Sequence, residues 1–137
     1  MNDGALAAML RARSIALVGA SPREGTLGAR MIDEVGRSSG ERRVHLVNPR
    51  YDAIGNRPCL PSLKHIDEPV DLVLLGVGDA ALEEQLTTAA DLGARGAVVF
   101  GSAHREGLRD ALRDIAVGAG MAVCGAGCMG FVNVADG

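Results

Sequence analysis

Three groups of residues in this chain have types and spacing that bear on chemistry. The first is Gly19-Ala20-Ser21-Pro22-Arg23-Glu24-Gly25-Thr26-Leu27-Gly28, a glycine-containing turn that leaves an apolar run and opens a helical one. Such a turn offers backbone N–H groups and the positive end of a helix to a phosphate. It is not a GxGxxG fingerprint, because Ser21 and Glu24 stand where glycines would be needed, and no GK[ST] follows. A plain strand-to-helix turn is the competing reading. The second group is the cysteines Cys59, Cys124 and Cys128, without a CxxC pair or an HExxH helix, so a zinc site is not expected. Cys128 is read as a small apolar filler in a glycine-rich turn, and Cys59 and Cys124 as packing residues. The third is His45, His65 and His104, and no partner acid is placed beside His104 by spacing.

The elements that must position these residues follow from composition and periodicity. The 137 residues suffice for one domain over 1–137, read either as a free-standing unit or as the N-terminal piece of a longer chain. A net charge of −3 gives no electrostatic footprint for nucleic acid or an anionic membrane surface. Tyr51, Phe100 and Phe131 are the only aromatics, which excludes a base-stacking platform and leaves the core to Ala, Val, Leu and Ile. No apolar stretch is long enough to span a bilayer. Charged residues run through the first thirty positions and the cysteine count is odd, so a reducing cytoplasm is expected.

Short unbroken apolar runs alternate with longer amphipathic ones, the pattern of repeated βαβ units. Strands are predicted at Ser14–Gly19, Arg43–Val47, Val70–Gly76, Gly96–Phe100 and Met121–Cys124. Helices are predicted at Leu6–Arg13, Leu27–Gly36, Asp79–Leu92 and Glu106–Ala119. Asn48–Pro69, punctuated by prolines, is the one long irregular connection. The expected fold is α/β: a Rossmann-like, doubly wound, parallel five-stranded sheet with helices on both faces. Ligands of such sheets lie beyond the carboxyl ends of the strands. At the end of the second strand, Asn48-Pro49-Arg50-Tyr51 supplies a cation where an NAD site keeps an acid for the ribose hydroxyls. A cation there suits a ribose carrying an extra phosphate, as in NADP or coenzyme A, with Arg50 binding it through paired hydrogen bonds. A solvated surface arginine is the alternative.

Several segments together resemble the CoA-binding domain of NDP-forming acyl-CoA synthetases, related to the alpha subunit of succinyl-CoA ligase. Ser14–Ser21 resembles that family's first strand and CoA loop, Val47-Asn48-Pro49-Arg50-Tyr51 its VNPKY segment, and Glu68-Pro69-Val70-Asp71-Leu72 its EPVDL lead into the third strand. Gly125-Ala126-Gly127-Cys128-Met129-Gly130, followed by Phe131-Val132-Asn133, is similar to its Gly-Pro-Asn-Cys-x-Gly element. The resemblance implies a coenzyme A or acyl-CoA site with the pyrophosphate against Gly19, Ala20, Ser21, Arg23, Gly25, Thr26 and Gly28. It puts the adenosine phosphate near Asn48, Pro49, Arg50 and Tyr51. The adenine and pantetheine would run along Gly76, Val77, Gly78, Phe100, Gly101 and Ser102, with the thiol end toward Cys128. It also implies further ligase domains or a partner subunit, with Mg²⁺ and the phosphate-relaying histidine on those domains, and leaves self-association open.

This chain departs from the family's pattern in two places. Ala126 and Gly127 replace the family's Pro and Asn, removing a fixed φ and a side-chain amide from the turn. Gly101-Ser102-Ala103-His104-Arg105-Glu106-Gly107 is one residue shorter than the family's loop and carries the unexpected His104, read as a surface residue. The expectation is therefore a CoA-binding module that is not catalytic by itself. The alternatives are an NADP-binding oxidoreductase or redox-sensing domain, and a regulatory Rossmann module with an empty site.

Overall fold

The computed structural model describes residues 3–38, 40–131 and 133–134; Val132, read above as part of the last turn, lies outside them. Seven strands form a single sheet: β1 (Ser14–Val18), β2 (Arg43–Val47), β3 (Ala53–Ile54), β4 (Arg57–Leu60), β5 (Leu72–Leu75), β6 (Gly96–Val99) and β7 (Ala122–Cys124). Their order is β3-β4-β2-β1-β5-β6-β7. Every neighbouring pair is parallel except β3 with β4. The helices are α1 (Asp3–Leu10), α2 (Leu27–Gly36), α3 (Asp79–Asp91) and α4 (Leu108–Ala119), with a 3₁₀ turn at Leu63–His65.

Alternate residues of each strand face opposite layers. Ile15, Leu17, Leu46, Leu72, Val98 and Ala122 pack with Ala5 and Met9 of α1 and Met31 of α2. Ala16, Val18, Val47, Val73, Leu75, Ala97 and Val99 pack with Leu82 and Leu86 of α3 and Leu108 and Leu112 of α4. All five residues of β1 are buried, as a central strand covered on both faces requires. Each fully buried Leu or Val contributes about 1.5–3 kcal/mol relative to exposure. The doubly wound reading is therefore correct.

The five expected strands become seven because the Asn48–Pro69 connection folds into the β3–β4 hairpin and the 3₁₀ turn. β4 pairs with β2 only at Leu46↔Cys59 and Val47↔Leu60 and so extends the sheet edge. Two helix boundaries also move. α1 ends before Ala12 and Arg13 because the Arg13 carbonyl accepts the N–H of Arg43 at 2.8 Å, while its N–H donates to Asp71 Oδ2 at 2.9 Å. α4 starts only at Leu108, because Gly107 takes a left-handed φ of 76°.

The chain runs from β1 outward to β2, then returns to place β5 on the other side of β1. The crevice where the connections diverge is thus between the carboxyl ends of β1 and β5, the usual ligand position in such sheets.

Candidate functional site

The expected site residues all fall along this carboxyl edge, and backbone hydrogen bonds link the strand ends into one row. Asn48 Nδ2 donates to the Ala20 carbonyl at 2.9 Å, and Gly19 N–H to the Val47 carbonyl at 2.9 Å. Gly76 N–H donates to the Val18 carbonyl at 2.9 Å, Phe100 N–H to the Leu75 carbonyl at 3.4 Å, and Gly127 N–H to the Gly101 carbonyl at 2.8 Å. Neighbouring strands are about 4.8 Å apart, so the row from β2 to β7 is about 19 Å long, a track for an elongated ligand.

At the centre of the row the glycines are set by backbone approach. A Cβ on Gly19 would lie 2.2 Å from the Gly76 carbonyl oxygen, and a Cβ on Gly28 would lie 2.2 Å from the Gly19 carbonyl oxygen. Gly76 is pressed by Met31 of α2. These three contacts seat the first turn of α2 directly over the end of β1. The loop between them is internally braced: the Ser21 hydroxyl accepts the Arg23 N–H at 3.1 Å, and Thr26 donates to the Arg23 carbonyl at 2.6 Å. Thr26 also caps α2 by accepting the Ala29 N–H at 3.3 Å, satisfying one of the donors that a helix start leaves without intrahelical partners. Arg23, Glu24 and Gly25 are exposed, and no atom lies within 4 Å of where a Gly25 Cβ would be.

Asn48 has a role that its motif alone did not reveal. Besides its bond to Ala20, its Oδ1 accepts the Arg50 N–H at 2.9 Å and its own N–H donates to the Leu60 carbonyl at 2.9 Å. It clamps the β1–α2 loop to the turn that carries Arg50. Pro49 and Arg50 are exposed, Tyr51 is half-buried, and the Arg50 guanidinium has no ion pair among the described residues.

On the other side of β1, Gly76-Val77-Gly78 leads into α3. Gly78 is the N-cap and provides no side-chain cap, while Asp79 in the first turn accepts the Arg105 N–H at 2.9 Å. Phe100 is half-buried, Gly101 sits against the Val77 carbonyl, and Ser102 is exposed with its carbonyl bound by Arg109 at 2.9 Å. A cavity of about 350 Å³ adjoins this loop, lined by Ala103, His104, Arg105, Gly107, Arg109 and Asp110. His104 is exposed, as expected.

The other two histidines lie off the row. His45 Nε2 is 2.7 Å from Glu68 Oε1, a carboxylate that Arg43 also approaches at 3.3 Å. His65 is exposed in the 3₁₀ turn. Among the described residues no cluster of His, Cys, Asp and Glu is arranged to hold a metal ion.

At the end of β7, Cys124 and Cys128 pack against the core as expected and also meet each other. Cys124 is half-buried and no isolated packing residue: its Sγ lies 2.7 Å from that of Cys128. The Cys128 N–H donates to the Val99 carbonyl at 3.3 Å, which folds the turn back over β6. The contact with Cys128, then burial, then the charge on Cys128 push the Cys124 thiol up to about 11. Four-residue spacing outside a helix gave no sign of this contact; the two glycines at 125 and 127 were the available hint of a reversal. Cys59 is buried as expected, and burial pushes its thiol up.

The sequence and the fold are similar to those of known proteins. The chain is 31% identical over 125 residues to the ADP-forming acetate–CoA ligase I of Archaeoglobus fulgidus, covering 87% of this chain and 18% of that enzyme. The chain thus spans about a fifth of the length of that curated relative. A solved hypothetical protein from Pyrococcus horikoshii OT3 superposes with a TM-score of 0.74 at 27% identity, covering 94% of this chain and 87% of that one. The dinucleotide-forming acetyl-coenzyme A synthetase 1 of Candidatus Korarchaeum cryptofilum, solved with phosphate and ADP, shares the fold with a TM-score of 0.82 at 23% identity, covering 90% of this chain and 28% of that one. Residues 13–134, nearly the whole sequence, match the family described as CoA binding domain, and to that family the chain belongs.

Proposed function

We propose that the carboxyl edge of the sheet holds coenzyme A or an acyl-CoA, and that the chain acts as the CoA-binding module of an NDP-forming acyl-CoA synthetase-like protein. The observation that carries this reading is an uncommitted cation joined to a glycine-containing turn at a helix start: Arg50, exposed and without an ion pair among the described residues, is tied through Asn48 to the loop that opens α2. In this reading the α2 N-terminus and the Ser21–Gly25 turn take the pyrophosphate, assisted by Arg23, and Arg50 takes the phosphate on the adenosine ribose. The adenine and pantetheine follow Gly76–Gly78 and Phe100–Ser102, and the thiol reaches toward Cys128.

The chemistry belongs to other domains or a partner subunit. None of His45, His65 and His104 matches the family's phosphate-relaying histidine, and the relatives' remaining length has room for the rest of a ligase. The complete protein would interconvert acyl-CoA, ADP and phosphate with the free acid, CoA and ATP. Among the described residues no helix is long and apolar enough to cross a membrane, which fits placement in the cytoplasm.

Titration calorimetry with CoA, dephospho-CoA, NADP and NAD tests the reading. CoA is expected to bind more tightly than its dephospho form, and Arg50→Ala to weaken CoA by about 1.5–3 kcal/mol while leaving dephospho-CoA almost unchanged. Heat with NADP alone, or with none of the four, overturns it.

A further inference from the structure

The row of strand ends terminates in two thiols brought together by the fold. Cys124 closes β7, and the turn through Gly125, Ala126 and Gly127 returns the chain so that the sulfurs lie 2.7 Å apart. That is closer than unbonded sulfurs normally rest and a small displacement from a covalent S–S bond of about 2.05 Å. The approach is fixed by backbone: Gly127 N–H is anchored to Gly101 and Cys128 N–H to Val99, both on the β6 side. A Cβ on Gly125 would lie 2.3 Å from the Val99 carbonyl oxygen, so the turn also lies flat against β6.

The two sulfurs are inequivalent. Cys128 Sγ touches the next turn, accepting the Gly130 N–H at 3.3 Å and donating to the Gly130 carbonyl at 3.5 Å, and it faces Cys124 Sγ, either sulfur of that pair being able to donate to the other. Both side chains are half-buried, and the neighbouring Gly127 and Met129 are exposed, so a small reagent has a path to Cys128. Cys59, buried within β4, takes no part.

We propose that Cys124 and Cys128 form a dithiol–disulfide exchange centre whose substrates are disulfides of low-molecular-weight thiols. Cys128, as thiolate, attacks one sulfur of R–S–S–R. The Cys128–S–S–R bond forms, the R–S–S–R bond breaks, and the leaving RS⁻ takes up the proton that Cys128 gave up. Cys124 then loses its proton and attacks Cys128 Sγ, forming the Cys124–Cys128 disulfide and releasing the second thiolate, which takes that proton. Two protein thiols are oxidised and one disulfide is reduced to two thiols, so no other electron acceptor is needed. The inference rests on the geometry of the pair and stands whether or not the cleft takes CoA.

The reduced chain is to be incubated separately with CoA disulfide and glutathione disulfide, then alkylated and weighed by mass spectrometry. The three free cysteines are expected to fall to one with release of two thiols per chain. Cys124→Ser should accumulate a mixed disulfide on Cys128, and Cys128→Ser should form the internal disulfide with neither reagent. Oxidation faster by about tenfold or more with CoA disulfide assigns the substrate to the CoA cleft, and equal rates assign it to small disulfides in general; either supports the centre. Three thiols persisting in the wild-type chain under both oxidants, or a mixed disulfide that never resolves there, overturns it. Because these readouts use the wild-type chain, the test does not depend on the variants folding.

Discussion

Replacing Asn48 by Ala separates holding the site together from touching the ligand. The side chain makes two hydrogen bonds, to the Ala20 carbonyl and from the Arg50 N–H, each at 2.9 Å in a half-buried position. A neutral hydrogen bond contributes about 1 kcal/mol net, so the truncation should cost about 2 kcal/mol. For a domain of this size that lowers the thermal midpoint by roughly 5–10 °C. Because the lost bonds join the loop proposed to take the pyrophosphate to the Arg50 turn, CoA and dephospho-CoA should weaken by the same factor in calorimetry, unlike the selective loss expected for Arg50→Ala. Asn48→Asp keeps the acceptor for Arg50 but loses the donor to Ala20, so it should fall as far or further, with a carboxylate now facing a carbonyl. An unchanged midpoint would refute the clamp, and a loss confined to CoA over dephospho-CoA would mean that Asn48 reads the ribose phosphate directly.

Gly28→Ala should destabilise the fold by about 1–3 kcal/mol in urea titration, because its Cβ would meet the Gly19 carbonyl and Ser21, which are backbone-held. Gly78→Ala should change stability by no more than about 1 kcal/mol while weakening CoA about tenfold or more in calorimetry, since only an approaching ligand would meet the new methyl. The raised thiols of Cys124 and Cys59 favour the folded state with their protons on, a contribution fully present below the ordinary value of 9.0 and lost as pH rises through the folded values. The urea midpoint should therefore fall between pH 9 and about 11, and fall less in Cys124→Ser.

Much of this was legible in the sequence because β1, β5 and β6 are short apolar runs, which a sheet covered on both faces buries. The return of the chain to β5 beyond β1 then determines where the site lies. The β3–β4 hairpin was missed because Pro58 and Pro61 read as breakers, yet Gly55-Asn56 between Ile54 and Arg57 is a two-residue hairpin turn, and Gly55 takes a φ of 63°. Pro58 is tolerated because β4 lies near the sheet edge, where ladder bonds are few. The Asn48 clamp and the Cys124–Cys128 contact were hidden for a different reason. Both depend on which side chains two loops present to each other, and no periodicity within one segment encodes that.

Most of the glycines along the carboxyl edge fall into two populations. Gly19, Gly28, Gly76 and Gly125 each have protein atoms within 3 Å of where a Cβ would be, so packing alone accounts for them and they say nothing about a ligand. Gly25 and Gly127 face open space but have φ values of 78° and 70°, so their turns demand glycine. Gly78 satisfies neither explanation: its φ is −75° and nothing lies within 4 Å of its missing side chain. It occupies an N-cap, where Ser, Thr, Asp or Asn would have stabilised α3 by capping it. Glycine is itself a favoured N-cap, only a few tenths of a kcal/mol short of Ser or Asp, so the cap accounts for Gly78, and the open space over its Cα at the lip of the β1–β5 crevice is room for a ligand. In the proposed arrangement coenzyme A, extended from Arg50 toward Phe100, would pass over that point.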